Sequence, residues 1–278
     1  MKKVAVVILN YMNYKETFQC VDSILTQKDV SFEIIIVDNG STNDSCTELW
    51  SNYRDNKLIH ILKNKKNYGF AKGNNIGISY ARQKLSADFV LLLNSDTELI
   101  QSDYISVLLS AYKENIAVIS GKIIQKRGMI QEKYYEYVEF PQTLFLYMKL
   151  VCDDYGCSRI SEKLEHLLKK TKKTEILHGS CLMLTPSFFK YYSMLYPKTF
   201  LYSEEILLYI YCEKAGLIQA RAEEAEILHK GKRSSKYLYG NMNSIRRKYQ
   251  IASYKYVVWE SFKVYMKKRF ASGKFYQL

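Results

Sequence analysis

Four short apolar runs constrain this chain most. Val4–Leu9 (VAVVIL), Phe32–Val37 (FEIIIV), Leu58–Leu62 (LIHIL) and Phe89–Leu93 (FVLLL) are nearly free of internal polar residues and rich in branched side chains. A strand with one wet face alternates apolar with polar, so runs of this kind read as strands covered on both sides. Between them, Phe18, Val21, Ile24 and Leu25 recur at helical spacing within residues 14–27. Residues 44–52, with Asp44 near the start, and 73–84 read as two further helices. Strand and helix in alternation predict βαβ units, hence an open, mainly parallel α/β sheet with helices on both faces. After residue 100 the alternation weakens. Residues 103–114 read as a helix, 117–119 and 176–184 as strands, and 203–215 as a helix ending before Gly216. The acidic stretch leading to His229 looks helix-like, and 126–175 reads as a tyrosine-rich, charged insertion without a defined element.

The chain has 278 residues, 47% hydrophobic and 25% charged, which suits a packed globular protein rather than a disordered or fibrous one. No apolar run approaches the roughly 18–20 residues of a membrane span. The start, Met1-Lys2-Lys3, lacks the features of a signal peptide, so a cytosolic protein is expected. Six scattered cysteines without a CxxC pair read as reduced thiols, not as a disulfide framework or zinc site. Charge is uneven. Residues 229–278 hold 13 of the 41 Lys and Arg but, of the 28 acids, only Glu260, so +12 of the formal +13 lies in this tail. An anionic partner would therefore meet the C-terminal end.

Ligands of open α/β sheets sit beyond the carboxyl ends of the strands. Polar residues gather at those ends here: Asn10-Tyr11, Asp38-Asn39 and Asn94-Ser95-Asp96. Such residues are also ordinary turn formers, but three sets on one sheet edge favour a nucleotide site. The Gly-x-Gly-x-x-Gly fingerprint of dinucleotide-binding domains is missing after the first run, and no P-loop is present.

The segments VVILNYMNYKETFQCVDSILTQ, EIIIVDNGSTNDS, NKKNYGFAKGNNIGI and FVLLLNSDTEL, in that order, resemble glycosyltransferase family 2. The likeness continues through HGSCLMLTPSFF, FLYSEEILLYIYCEKAGL and ILHKGKRSS, spanning about residues 4–235. It is strongest to bacterial rhamnosyltransferase-like enzymes of polysaccharide and O-antigen assembly. The resemblance implies a GT-A fold over 1–235, with a sugar-nucleotide-binding half at about 1–100 and an acceptor half at 101–235. It also implies inverting sugar transfer from a UDP- or dTDP-sugar to an acceptor hydroxyl. The acceptor would be a growing glycan or one carried on a polyprenyl diphosphate, as in capsule or O-antigen synthesis.

Residue by residue, the resemblance puts Asp38 and Asn39 at the nucleobase, beside Asn10. It puts Asn67, Gly69, Phe70, Asn74 and Asn75 along the donor pocket. Asn94, Ser95 and Asp96 stand for the family's D-x-D element, with Asn94 at its first position. Asp96 would hold Mg²⁺ or Mn²⁺ against the diphosphate, and His229 would complete the metal site. Lys232 and Arg233, with Lys230, would meet phosphate oxygens. His178, Gly179 and Ser180 would form the acceptor wall. Glu204 and Glu205 occupy the place of the family's Glu-Asp pair, with Glu205 as the general base and Ser203 as the helix cap. The acid usual two positions further on is Leu207 here. A family member that has lost catalysis and serves as a binding or assembly subunit is the alternative.

Residues 236–278 interleave Lys and Arg with Tyr, Trp, Phe and Val, as one or two amphipathic helices would. Three readings stand: a helix on the anionic inner face of the cell membrane, making the protein peripheral to it; a helical pair packed on the catalytic domain or mediating a homodimer; and nucleic-acid binding. No nucleic-acid-binding motif accompanies the last, so nucleic acid is not an expected partner.

Overall fold

The computed structural model describes residues 2–125, 135–169, 171–231 and 243–271. The expected alternation is present as β1 (Lys3–Asn10), α1 (Tyr14–Leu25), β2 (Ser31–Asp38), α2 (Ser45–Tyr53), β3 (Ile59–Lys63), α3 (Phe70–Gln83) and β4 (Phe89–Asn94). Then follow β5 (Thr97–Leu99), α4 (Tyr104–Ser110), β6 (Ile116–Gln125), β7 (Tyr135–Tyr137), α5 (Gln142–Asp154) and α6 (Ser158–Leu168). The remaining elements are β8 (Thr174–Ile176), β9 (Cys181–Leu184), α7 (Pro186–Phe189), α8 (Glu204–Ala215), β10 (Ile218–His229) and α9 (Asn243–Ala271).

Eight strands form one sheet in the order β3-β2-β1-β4-β9-β6-β10-β5. β1, β2, β3 and β4 run parallel, as do β6 and β10, while β9 and β5 pair antiparallel with their neighbours. The pure apolar runs are explained by their two covered faces. Val4, Val6 and Ile8 point to a core shared with α1, α2 and α4. Ala5 and Val7 point to a second core closed by α3, α7 and α8. All six cysteines are free.

Four local readings change. α3 starts at Phe70, three residues earlier than the apolar spacing suggests. The run 176–184 is broken, because residues 177–180 form a loop between β8 and β9. The stretch before His229 is strand β10, not helix: Ala222, Ala225 and Ile227 are buried while Glu223 and Glu224 face water, across a register shift between Ala222 and Glu226. Its pairing with β6 overrides the helical propensity of its glutamates. The described part of 126–175 contains defined elements, with β7 paired to β8 and α5 packed on α6 and α9.

The described part of the tail from residue 243 on is one 29-residue helix, α9. Tyr254, Val257 and Val264 are buried against Ile206, Leu207 and Ile210 of α8 in a third core. α8 is apolar nearly all round for that reason: it lies between the sheet and α9. Leu207, in the place of the family's further acid, is fully buried there. Residues 236–242 and 272–278 lie outside the described residues. Among the described residues, no helix is long and apolar enough to cross a membrane.

Candidate active site

Parallel pairing in register sets the site. Asn10 lies opposite Asp38, and Leu9 opposite Asn94, so the polar ends of β1, β2 and β4 share one edge. Asp38 is fully buried. Its Oδ1 accepts from Asn10 Nδ2 at 2.8 Å and from Ser41 Oγ at 2.6 Å, and its Oδ2 accepts from Ser41 N–H at 3.2 Å. Thr17 in turn donates to Asn10 Oδ1 at 3.0 Å. In this arrangement Asp38 locks the β1 and β2 ends together.

Asn39 is a strut between loops. Its Nδ2 donates to Asn67 Oδ1 (3.0 Å) and Gly69 O (3.1 Å), and its Oδ1 accepts from Asn64 Nδ2 (3.0 Å) and Tyr68 N–H (3.2 Å). Gly69 has φ +83, and a Cβ there would sit 2.1 Å from Phe200 O. Only glycine permits both this backbone and this approach. The contact, with Phe70 N–H donating to Phe200 O at 2.8 Å, joins the donor-side loop to the segment before α8. Asn74 Nδ2 donates to Phe70 O within α3 (3.0 Å), and its buried Oδ1 has no hydrogen-bond partner among the described residues. Asn75 brackets Leu195, donating to its carbonyl at 3.0 Å and accepting its N–H at 2.8 Å. Ser41, Thr17 and Asn64 escaped the sequence reading. Ser41 carried a signal, being the last residue of the Asp-Asn-Gly-Ser turn.

Asp96 follows β4 and is buried beside Ser95. Antiparallel pairing sets His229 opposite Thr97, bringing His229 Nε2 within 3.5 Å of Asp96 Oδ1. The ring of His178 lies 5.5 Å from that of His229, centre to centre. Burial, then the neighbouring His229, push His178 down to about 4, with Asp96 opposing. Its Nδ1 accepts the N–H of Ser180 at 3.1 Å, so the neutral ring carries its proton on Nε2. Ser180 O also accepts Asn94 N–H at 3.0 Å, tying this loop to the end of β4.

One carboxylate and one imidazole nitrogen fit a divalent cation that takes its other ligands from phosphate oxygens and water. Among the described residues no group of three His, Cys, Asp or Glu could hold a metal unaided. Lys230 is engaged by Glu98. Lys232 and Arg233 lie outside the described residues.

Glu204 and Glu205 open α8 after two residues in left-handed conformation, Tyr202 (φ 72) and Ser203 (φ 68). Ser203 holds the cap position, but its side chain makes no capping bond. Glu205 rests on the backbone of Gly179, where an added Cβ would come within 2.4 Å of Oε1. Burial raises the Glu205 carboxyl above its ordinary value, with its own and the Gly179 backbone N–H groups opposing. Glu204 is raised well above its ordinary value, first by burial and then by Glu205, and its Oε1 is buried without a hydrogen-bond partner among the described residues. A chain of neighbours thus runs from Glu205 of α8 to Gly179 and His178 of the β8–β9 loop, on to His229 of β10 and then to Asp96, just after β4.

A mixed sheet of this order, with its polar cluster beyond the strand ends, is a GT-A fold. The structure resembles that of S. aureus TarS 1–349, solved in complex with UDP-GlcNAc, with a TM-score of 0.54 and 17% identity over 84% of this chain and 59% of that one. The family model for glycosyl transferase family 2 matches residues 5–192, and the chain belongs to that family. It is 28% identical over 204 residues to the low-salt glycan biosynthesis hexosyltransferase Agl10 of Haloferax volcanii. That match covers 73% of this chain and 59% of the relative. It is 27% identical to glycosyltransferase GlyG of Streptococcus pneumoniae serotype 4, over 52% of this chain and 43% of that one. The chain spans less than two thirds of the length of these relatives.

Proposed function

We propose that the chain is an inverting glycosyltransferase that moves a sugar from a nucleoside diphosphate to an acceptor hydroxyl in glycan biosynthesis. The observation that carries this reading is the Glu205 carboxylate, held on the Gly179 backbone next to His178, whose ring neighbours the His229 of the Asp96–His229 pair. The acceptor oxygen attacks the anomeric carbon from the face opposite the diphosphate. The carbon–oxygen bond to the diphosphate breaks with its electron pair, and the acceptor proton passes to Glu205. Burial suits Glu205 to that role by raising its proton affinity. His178, kept neutral by burial, adds no charge to the site. A divalent cation, Mg²⁺ or Mn²⁺, held by Asp96 and His229 would offset charge on the leaving diphosphate. The Asp38–Asn39 end serves the nucleobase. The TarS complex with UDP-GlcNAc favours a UDP-sugar over a dTDP-sugar, and the name of the Agl10 relative favours glycan assembly. The acceptor is a glycan or polyprenyl-diphosphate-linked sugar of a cell-surface polysaccharide, met at the inner membrane face.

Glu205→Gln keeps the shape and removes the proton acceptor. Sugar transfer should fall by about 10²–10⁴, the usual worth of general-base assistance, with nucleotide affinity nearly unchanged. Near-normal transfer by this variant would remove Glu205 from the mechanism.

A further inference from the structure

The single acid of the basic tail, Glu260, is 5% exposed and pairs with Lys214 of α8 and with Lys263. The outward side of α9 is left with one sign of charge. Lys248, Lys255, Trp259, Lys263 and Phe270 recur at intervals of four and seven, which places them along one side of a helix. Tyr254, Val257 and Val264 occupy the opposite, buried side. Trp259 is 54% and Phe270 65% exposed, and Lys263 Nζ lies 5.1 Å from the Trp259 ring centre. We propose that this side of α9 is a docking surface for an anionic lipid bilayer, with Trp259 and Phe270 at headgroup depth and the lysines on lipid phosphates. The aromatic side chains favour lipid, because a bilayer interface accepts indole and phenyl rings between its headgroups while ammonium groups stay at the phosphate level.

The other end of α9 reaches the active site. Ser253 Oγ donates to Leu201 O at 2.7 Å, Tyr249 stacks on Phe200 with ring centres 5.1 Å apart, and Arg246 lies 5.8 Å over Tyr202. These contacts hold the segment that leads into Glu205. Docking would therefore present the acceptor side of the site to the bilayer, a consequence that rests on the transfer reading; the lipid binding itself does not.

The test is co-sedimentation of the chain with phosphatidylcholine vesicles, with and without phosphatidylglycerol. The chain is expected to pellet only with the anionic vesicles and to be released by salt. At about fivefold per lysine, loss of two is worth about 30-fold, and Lys248→Glu with Lys255→Glu, which also adds two negative charges, should weaken binding by more than that. Lys28→Glu with Lys57→Glu, the same charge change at exposed residues away from α9, should leave most of it. Trp259→Ala should weaken binding at every salt concentration. Equal losses for the two double variants, equal binding to neutral vesicles, or release of the chain by added single-stranded RNA would each overturn the proposal. The last would make nucleic acid the partner. Folding of each variant is checked by circular dichroism, and donor hydrolysis, measured separately, reports on the transfer reading alone.

Discussion

Glu204 shows how far one position in an adjacent pair can diverge from its neighbour. Both glutamates start α8, yet Glu205 rests on the Gly179 backbone while Glu204 Oε1 is buried without a hydrogen-bond partner among the described residues. Burial and then Glu205 hold the Glu204 carboxyl well above its ordinary value of 4.5. A group raised on folding adds stability that is fully present below the unfolded value and is lost as pH rises through the folded one. Glu204→Gln, which cannot ionise, should match the parent's unfolding temperature at pH below the ordinary value of 4.5 and exceed it progressively as pH rises above that. Calorimetry across that range checks this, and a pH-independent difference would contradict it. At the same scale, the Glu-Glu pair was legible in the sequence, but the distinct surroundings of its members were not. Gly179 lies 26 positions before Glu205, and no spacing rule joins them.

At the scale of elements, residues 236–278 read as one or two amphipathic helices, and their described part forms one, α9. What α9 packs on was not legible, because the middle of α8 is apolar nearly all round and offers no direction from sequence alone. Val257 is fully buried between the two helices. Val257→Ala should destabilise the fold by about 1–3 kcal/mol through lost burial and a residual cavity, measured by urea unfolding. Glu260 tests the same interface by pH. Burial opposes its charge, but Lys214 and Lys263 prevail and hold its carboxyl below the ordinary value. Its contribution is present above the unfolded value and lost as pH falls through the folded one. Glu260→Gln should therefore be less stable than the parent at neutral pH and indistinguishable from it in strong acid. A difference that survives acid would show that the ion pairs are not its source.

Over the whole molecule, the two halves meet where the Gly69 loop abuts Phe200 and where His229 returns to Asp96. A nucleotide held across that seam should stabilise both halves together. UDP with Mn²⁺ at 100 times the dissociation constant is expected to add about 2.7 kcal/mol, seen as a single, shifted unfolding transition. Asp96→Ala should lose the Mn²⁺-dependent part of the shift. The same shift in chelator would remove the cation from the reading.

The amino-acid sequence by itself determined the first half of the fold, because strands buried on both faces must be apolar throughout and the helices between them must carry one apolar side. It also placed Asp38, Asn39 and Asp96 at strand ends, since turn residues follow such runs directly. Only the tertiary structure decided the rest. β10 became a strand because β6 was there to pair with it, and the run 176–184 opened into a loop that carries His178 and Gly179 to Glu205. Those outcomes depend on partners distant in the chain, and local propensity contains no record of them.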